Sequence, residues 1–377
     1  MKNLLCEMFD VEFPLFAFSH CRDVVVAVSR AGGFGVLGAS SHTPEELEQE
    51  LTWIDDHIGG KPYGVDILCP ETFVGKGLNL SAADIEAMVP EDHRRYVEEV
   101  LSQHGIALSD IGSHPFTMPA ESIDSVGEEL LDVSFRHPVK LIANALGVPP
   151  PNMIDRAKAE GVPVAALVGA REHAIKQVHA GVDLLVVQGT EAGGHCGDVT
   201  TMVLVPEVVE AIKPIRSVPV LAAGGIVTGG QIAAAIALGA AGVWTGSVWL
   251  TTEEAETAPY TVKKMLKATS RDTVRSKGRT GKFSRQLRSA WTDAWTPEAN
   301  GPAPLPLPLQ FVIAETVLRR VDVLAENGQP GAQQLATYFV GQGVGLMNKV
   351  RPAREVVAEM MQDYVEAVAR LTASVAD

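Results

Sequence analysis

The chain has 377 residues, of which 46 % are hydrophobic and 20 % charged, with a formal net charge of −15. That balance excludes a disordered chain, fits one large α/β domain with an insertion or two domains, and argues against nucleic acid as the main partner, because phosphate backbones are held by clustered Lys and Arg. No run of about 18 apolar residues suggests a membrane span, no long apolar signal segment follows the first lysine, and Cys6, Cys21, Cys69 and Cys196 are too scattered for a metal site, which suits free thiols in a cytoplasmic setting.

Phe13 to Phe18 is a short apolar strand candidate, and Asp23 to Ala31 has helical spacing that Gly32-Gly33 stops. Phe34 to Leu37 reads as a second strand. Thr43 as N-cap, Pro44 at the first helical position and acids behind it start a helix that runs to about Ile58. Tyr63 to Leu68 is a third strand. Pro70 to Pro138 is irregular, with one polar helix from roughly Ala82 to His104 and a Pro/Ser/Gly-rich tract around Asp110 to Pro119. It reads as an elaboration over one end of the core.

The strand–helix rhythm then resumes. Strands are expected at Val139 to Ala143, Val162 to Val168, Asp183 to Val187, Val218 to Ala222 and Val243 to Thr245. Helices are expected at Pro151 to Glu160, Arg171 to His179, Pro206 to Lys213 and Gly230 to Leu238. The strands are apolar on both faces, as parallel strands covered by helices are. Eight strands in alternation favour a (β/α)₈ TIM barrel, with a doubly wound sheet as the alternative. Thr251 to Pro330 breaks the rhythm and reads as a lid inserted near the C-terminus, before a last outer helix from roughly Pro352 to Leu371. The barrel is then 1–250 plus 331–377, with the elaboration at about 70–138 and the lid at 251–330. The lid carries Lys263, Lys264, Lys267, Arg271, Arg275, Lys277, Arg279 and Lys282, either an anion or nucleotide site or a solvated face.

Chemistry concentrates in Val186 to Asp198, VVQGTEAGGHCGD. A buried strand ends there in a glycine-rich turn holding His195, with Glu191, Cys196 and Asp198 beside it. Glycines let a backbone approach a ligand closely, and a histidine at the carboxyl end of a strand can exchange protons near neutral pH without a large shift. The bland alternative is a flexible loop with a solvated histidine. Two further glycine turns, Ala223-Gly224-Gly225 after strand seven and Gly246-Ser247 after strand eight, match the common phosphate site of barrels. Their other reading is tight βα turns only.

Together with RAGGFGVLG (Arg30 to Gly38), TMVLVPEVV (Thr201 to Val209), PVLAAGGI (Pro219 to Ile226) and ALGAAGVWTGSVWL (Ala237 to Leu250), these motifs resemble the FMN-dependent nitronate monooxygenase (2-nitropropane dioxygenase-like) family over almost the whole chain. The resemblance implies a barrel with a lid and non-covalent FMN, and an enzyme that oxidises alkyl nitronates with dioxygen to carbonyl compounds and nitrite. It places the FMN phosphate at Gly224, Gly225, Gly246 and Ser247, the isoalloxazine against Gln188, Gly193 and Gly194, Gln342 at the border, Ala223, Phe18, Ser19 and Asp66 as further cofactor contacts, and His195 as catalytic base. Two positions depart from the family pattern. Phe18-Ser19-His20 replaces an Ala-Pro-Met-like turn under the flavin, which makes His20 a candidate substrate contact. Asp66 replaces an asparagine after strand three, and an ionised aspartate cannot donate to a flavin carbonyl. The same motifs occur in NAD(P)H-dependent flavin reductases of quinones and enoyl thioesters, which is the alternative function; a non-catalytic FMN-binding barrel is a third. NAD(P)H as a partner and a homodimer stay open.

Overall fold

The computed structural model describes residues 3–111 and 125–375. The strands, in chain order, are β1 (Leu15–Ser19), β2 (Phe34–Gly38), β3 (Tyr63–Leu68), β4 (Ile142–Ala145), β5 (Val164–Val168), β6 (Leu184–Gln188), β7 (Gly194–His195), β8 (Val220–Ala223), β9 (Gly242–Thr245), β10 (Thr273–Ser276) and β11 (Ser284–Leu287). Eight of them, β1 to β6 with β8 and β9, form a closed parallel barrel, in which β1 pairs with both β2 and β9. This is the (β/α)₈ barrel expected from the alternation. The last helix, Ala353–Ala373, packs between Gly229–Ala237 and Arg22–Arg30 and so completes the outer ring.

The barrel interior is filled by side chains. Phe16, Phe34, Val36, Ala143, Ala165, Leu184, Val186, Leu221 and Trp244 are buried there. A short helix, Leu4–Phe9, which periodicity did not reveal in so few residues, closes the N-terminal end with Leu5 and Phe9. Phe9 meets Phe34 edge-on at 4.9 Å, and Phe16 stacks on Trp244 at 6.3 Å. The aromatic column continues to Phe18, 6.3 Å from Trp244, at the opposite end. With the floor closed, the carboxyl ends of the strands are left as the place for a ligand.

The sequence reading of 70–138 changes in two respects. The single polar helix from Ala82 to His104 is two helices, Ala82–Ala87 and Glu91–Gln103. Pro90 divides them, since a proline disfavours helical backbone in the residue before it. Val126–Ser134 is a further helix packed on β3 and on the Pro44–His57 helix, so part of this region belongs to the outer ring. From residue 112 on, the Pro/Ser/Gly tract lies outside the described residues.

Beyond the ring sits a second core. Ile85, Val97, Val100, Leu101, Ile106 and Ile111 pack with Trp291, Trp295, Val312, Ile313, Val321 and Leu335. Its centre is the helix Leu309–Glu326. Two stretches about 200 residues apart in the chain thus build one body beside the barrel mouth. β10 and β11 form an antiparallel hairpin that belongs to it in sequence, and β11 also pairs with β7.

Candidate active site

The loop after β6 is held from several sides. Gly189 N–H donates to Ala223 O across to β8 at 3.0 Å. The Glu191 carboxylate accepts from Thr201 N–H at 2.9 Å and from Thr201 Oγ1 at 3.0 Å. Glu191 therefore caps the helix Thr201–Ile212. That cap also explains why the helix begins at Thr201 and not at Pro206. A carboxylate satisfies the first orphan N–H groups and favours the positive end of the helix dipole, so the helix tolerates a proline in its second turn.

Farther along, Gly193 lies against the backbone of Val340 and Gly341, where a Cβ would come within 2.8 Å of Gly341 N. Gln342 N–H donates to Glu191 O at 2.8 Å, and Gly341 N–H donates to Ser247 Oγ at 2.8 Å. Gly343 approaches the carbonyl of Gly225. The structure thus brings Gln188, Gly193, Gly224, Gly225, Ser247 and Gln342 together at the carboxyl ends of β6, β8 and β9. Gly194 (φ +73°), Gly224 (φ +106°) and Gly225 (φ +73°) have left-handed backbones. Ala223 is buried as the last residue of β8. Gly246 differs: its φ is −130°, and a Cβ there would meet only Phe18 Cδ1, at 4.0 Å.

Phe18 and Ser19 end β1, and His20 follows them. Ser19 Oγ accepts from Cys21 N–H at 3.1 Å. His20 is exposed, its ring edge-on to Phe18 at 5.1 Å, and its Nδ1 lies 3.1 Å from Gly38 O. A carbonyl only accepts, so Nδ1 carries the hydrogen and Nε2 is left with its lone pair. Asp66, on β3, is buried at 6 % exposure, and burial pushes its carboxyl up to about 7. Near neutral pH a large share of Asp66 is a neutral acid, which can donate a hydrogen bond as an asparagine would.

His195 is met by the β10–β11 hairpin. It stands opposite Ser284 in the β7–β11 pairing, and Gly194 stands opposite Arg285. Arg285 Nε donates to Thr190 O at 2.7 Å, and Arg275 reaches Cys196 O at 3.4 Å. His195 Nε2 lies 2.8 Å from Thr280 Oγ1, and Phe339 is 6.3 Å from its ring. Desolvation, with a smaller contribution from Lys282, lowers the imidazole to about 4. The expectation of a nearly unshifted histidine is therefore corrected: burial keeps the His195 ring neutral well below the ordinary histidine range.

The cations between residues 263 and 282 divide. Lys263, Lys267, Arg271 and Lys277 are exposed, as a solvated face would be. Arg279 is 5 % exposed, donates to Glu315 at 3.2 Å and 3.3 Å, and lies over the rings of Phe339 and Tyr338 at 4.5 Å and 5.7 Å. It is neither a free anion site nor a solvated charge. Thr280, Arg285, Glu315 and Phe339 were not found from sequence, since each carries no local pattern and gains its role from a distant contact.

Residues 2–363 match the family model described as nitronate monooxygenase. The chain belongs to the nitronate monooxygenase family. It is 52 % identical over 375 residues, 98 % of each chain, to Rv1533 of Mycobacterium tuberculosis, which is named as a candidate monooxygenase. It is 28 % identical over 311 residues to a Staphylococcus aureus protein named as a probable nitronate monooxygenase, covering 78 % of this chain and 80 % of that one. Among solved structures, nitroalkane oxidase from Streptomyces ansochromogenes aligns with a TM-score of 0.78 at 25 % identity, over 97 % of this chain and 99 % of that one. FabK from Thermotoga maritima shares the fold, with a TM-score of 0.70 at 23 % identity over the full length of both chains. Nitronate monooxygenases are oxidoreductases that act on small molecules, and this chain is such an enzyme. No helix among the described residues is long and apolar enough to cross a membrane.

A nitronate monooxygenase needs a flavin, and the carboxyl end of the barrel fits a flavin phosphate. Gly224 and Gly225, just past β8, have left-handed backbones, and Gly246 and Ser247 follow the adjacent β9, so backbone N–H groups at these strand ends can face an anion. The space over Gly246 that a side chain would fill is open.

Asp66 gives a pH test. Its folded pKa of about 7 lies above the ordinary value of 3.8, so between these values the folded state binds more protons than the unfolded one. Stability then falls as pH rises from about 4 to about 7 and loses no more from this group above that. In the flavin-free protein, Asp66→Asn is expected to raise the melting temperature at pH 8. The gain should shrink towards pH 4 to 5. An equal change at both pH values in calorimetry would show that Asp66 is not held neutral.

Proposed function

We propose that this chain is an FMN-dependent oxidase of small alkyl nitronates and the parent nitroalkanes, with His195 as its base. The observation that carries the reading is a desolvated histidine on the glycine loop after β6, beside the glycine turns at the ends of β8 and β9, where the space over Gly246 is open. In this reading Gly224, Gly225, Gly246 and Ser247 hold the FMN phosphate, with Ala223 beneath them. Gln188, Gly193, Gly194 and Gln342 border the ring system, and Phe18, Ser19 and His20 face it from β1. Bound there, FMN would supply the electron acceptor that dioxygen reoxidises.

The chain's own residues carry the rest. His195 removes the proton from the carbon bearing the nitro group, and its lone pair is available because the ring is neutral. The lid keeps water from the base. Neutral Asp66 donates a hydrogen bond where an asparagine would. The four free cysteines support a reducing, cytoplasmic setting.

Stopped-flow mixing with a nitronate, and separately with NADPH, tests the reading. Flavin reduction by the nitronate alone is expected. Rapid reduction by NADPH would favour a reductase of quinones or enoyl thioesters, and no reaction with either would favour a non-catalytic flavin-binding barrel.

The cofactor is expected to be FMN and not FAD. The glycine turns after β8 and β9 suit one phosphate, and the GxGxxG at Gly33 to Gly38 runs into strand β2 instead of forming a strand-to-helix turn. Mass spectrometry of the released flavin checks this, and FAD would refute it.

A further inference from the structure

We propose that Thr280 of the lid is a positioning residue that fixes the tautomer of His195, so that Nδ1, and not Nε2, is the basic nitrogen. The inference rests on the reading of His195 as the base.

Thr280 is 4 % exposed and sits in the turn between β10 and β11. Its Oγ1 is 2.8 Å from His195 Nε2 and 3.2 Å from Lys282 O, and it accepts from Lys282 N–H at 3.4 Å. A hydroxyl has one proton to give. The carbonyl of Lys282 can only accept, so the bond to it takes that proton. The bond to His195 must then run the other way, with Nε2–H donating to Thr280 Oγ1. Nδ1 keeps the lone pair.

The arrangement has a mechanical side. β11 pairs with β7, so the strand that follows Thr280 is hydrogen-bonded to the segment carrying His195. Arg285, opposite Gly194, ties β11 to the same loop through Thr190 O. The hydroxyl and the imidazole are thus held by one small sheet, and neither can shift without disturbing it. When Nδ1 takes the substrate proton, the Nε2–H bond to Thr280 strengthens, because its donor becomes cationic. The Thr280 proton stays on Lys282 O throughout. One proton moves from carbon to Nδ1, and the electron pair of the C–H bond stays on the substrate.

Three measurements on the holoenzyme test this. Nitrogen-15 shifts of the histidines, assigned by comparison with His195→Asn, should show His195 protonated at Nε2 and bare at Nδ1 near pH 7. Thr280→Val should lower kcat/KM for a neutral nitroalkane by about 10- to 100-fold, the usual scale for losing a group that orients a functional histidine. Turnover of a preformed nitronate should change by less than about threefold, because that substrate needs no base. Thr280→Ser, which keeps the hydroxyl, should restore the wild-type rate. A bare Nε2, or full nitroalkane activity in Thr280→Val, overturns the proposal. So does a Thr280→Val variant that loses flavin or both activities in equal proportion, since that marks a structural role. If His195→Asn itself leaves both activities intact, the reading of His195 as base fails instead.

Discussion

Replacing His195 by asparagine is expected to leave flavin bound and to lower turnover of a neutral nitroalkane by about 10²-fold or more, the scale for losing a general base. Asparagine can still hydrogen-bond to Thr280, so the β7–β11 pairing need not open. The loss should be far smaller with a preformed nitronate, which has already given up its proton. The pH profile sharpens the test. Desolvation and Lys282 hold the His195 imidazole at about 4, against an ordinary 6.5. The base is competent when unprotonated, so the acid limb of kcat/KM for nitroalkane in the wild-type enzyme should bend near pH 4 and not near 6.5. Near wild-type rates with both substrates in His195→Asn would remove it from the mechanism, and His20, whose Nε2 lone pair is free of the bond to Gly38, would be tested next. An acid limb at 6.5 would show that the lid does not exclude water from the ring.

The second large effect is expected at the phosphate site. Gly246→Val should abolish flavin binding while leaving the barrel folded. Gly246 has a negative φ, and a Cβ there meets nothing closer than Phe18 Cδ1 at 4.0 Å, so the flavin-free backbone can carry the side chain. The same side chain would fill the space through which the N–H groups of Gly246 and Ser247 reach an anion. Gly225→Val should also lose flavin, but it is a less clean experiment. Its φ of +73° is strained for any L side chain, and a Cβ would press on Glu191 at 3.0 Å, which caps the helix after the loop. Loss of flavin absorbance with unchanged circular dichroism in Gly246→Val is the expected result. Full retention of flavin would move the phosphate elsewhere.

Much of the barrel was legible because its signals are local. Thr43, Pro44 and Glu46 form a capping box whose two hydrogen bonds lie within four residues of chain, and the helix starts where those residues place it. β3 spans Tyr63–Leu68 as its apolar run suggests. Boundaries moved for two different reasons. The helix expected at Pro206 starts at Thr201 because Glu191, ten residues back, caps it. The helix expected through Ala82 to His104 breaks at Pro90, a local signal that its polar pattern concealed.

By itself, the sequence determined the alternation of strands and helices that closes an eight-stranded barrel. It also determined the glycines at the ends of β6 and β8, since only glycine permits the left-handed turns and close approaches found there. The tertiary structure alone decided the rest. Residues 85–111 and 291–336 share one core, although neither stretch announces the other. Arg279 is paired with Glu315 and Thr280 meets His195, 85 residues apart. His195 is lowered to about 4 and Asp66 raised to about 7. The physical reason is the same in each case. Backbone preference is set by neighbours in the chain, whereas desolvation and ion pairing depend on which distant groups replace water around a charge.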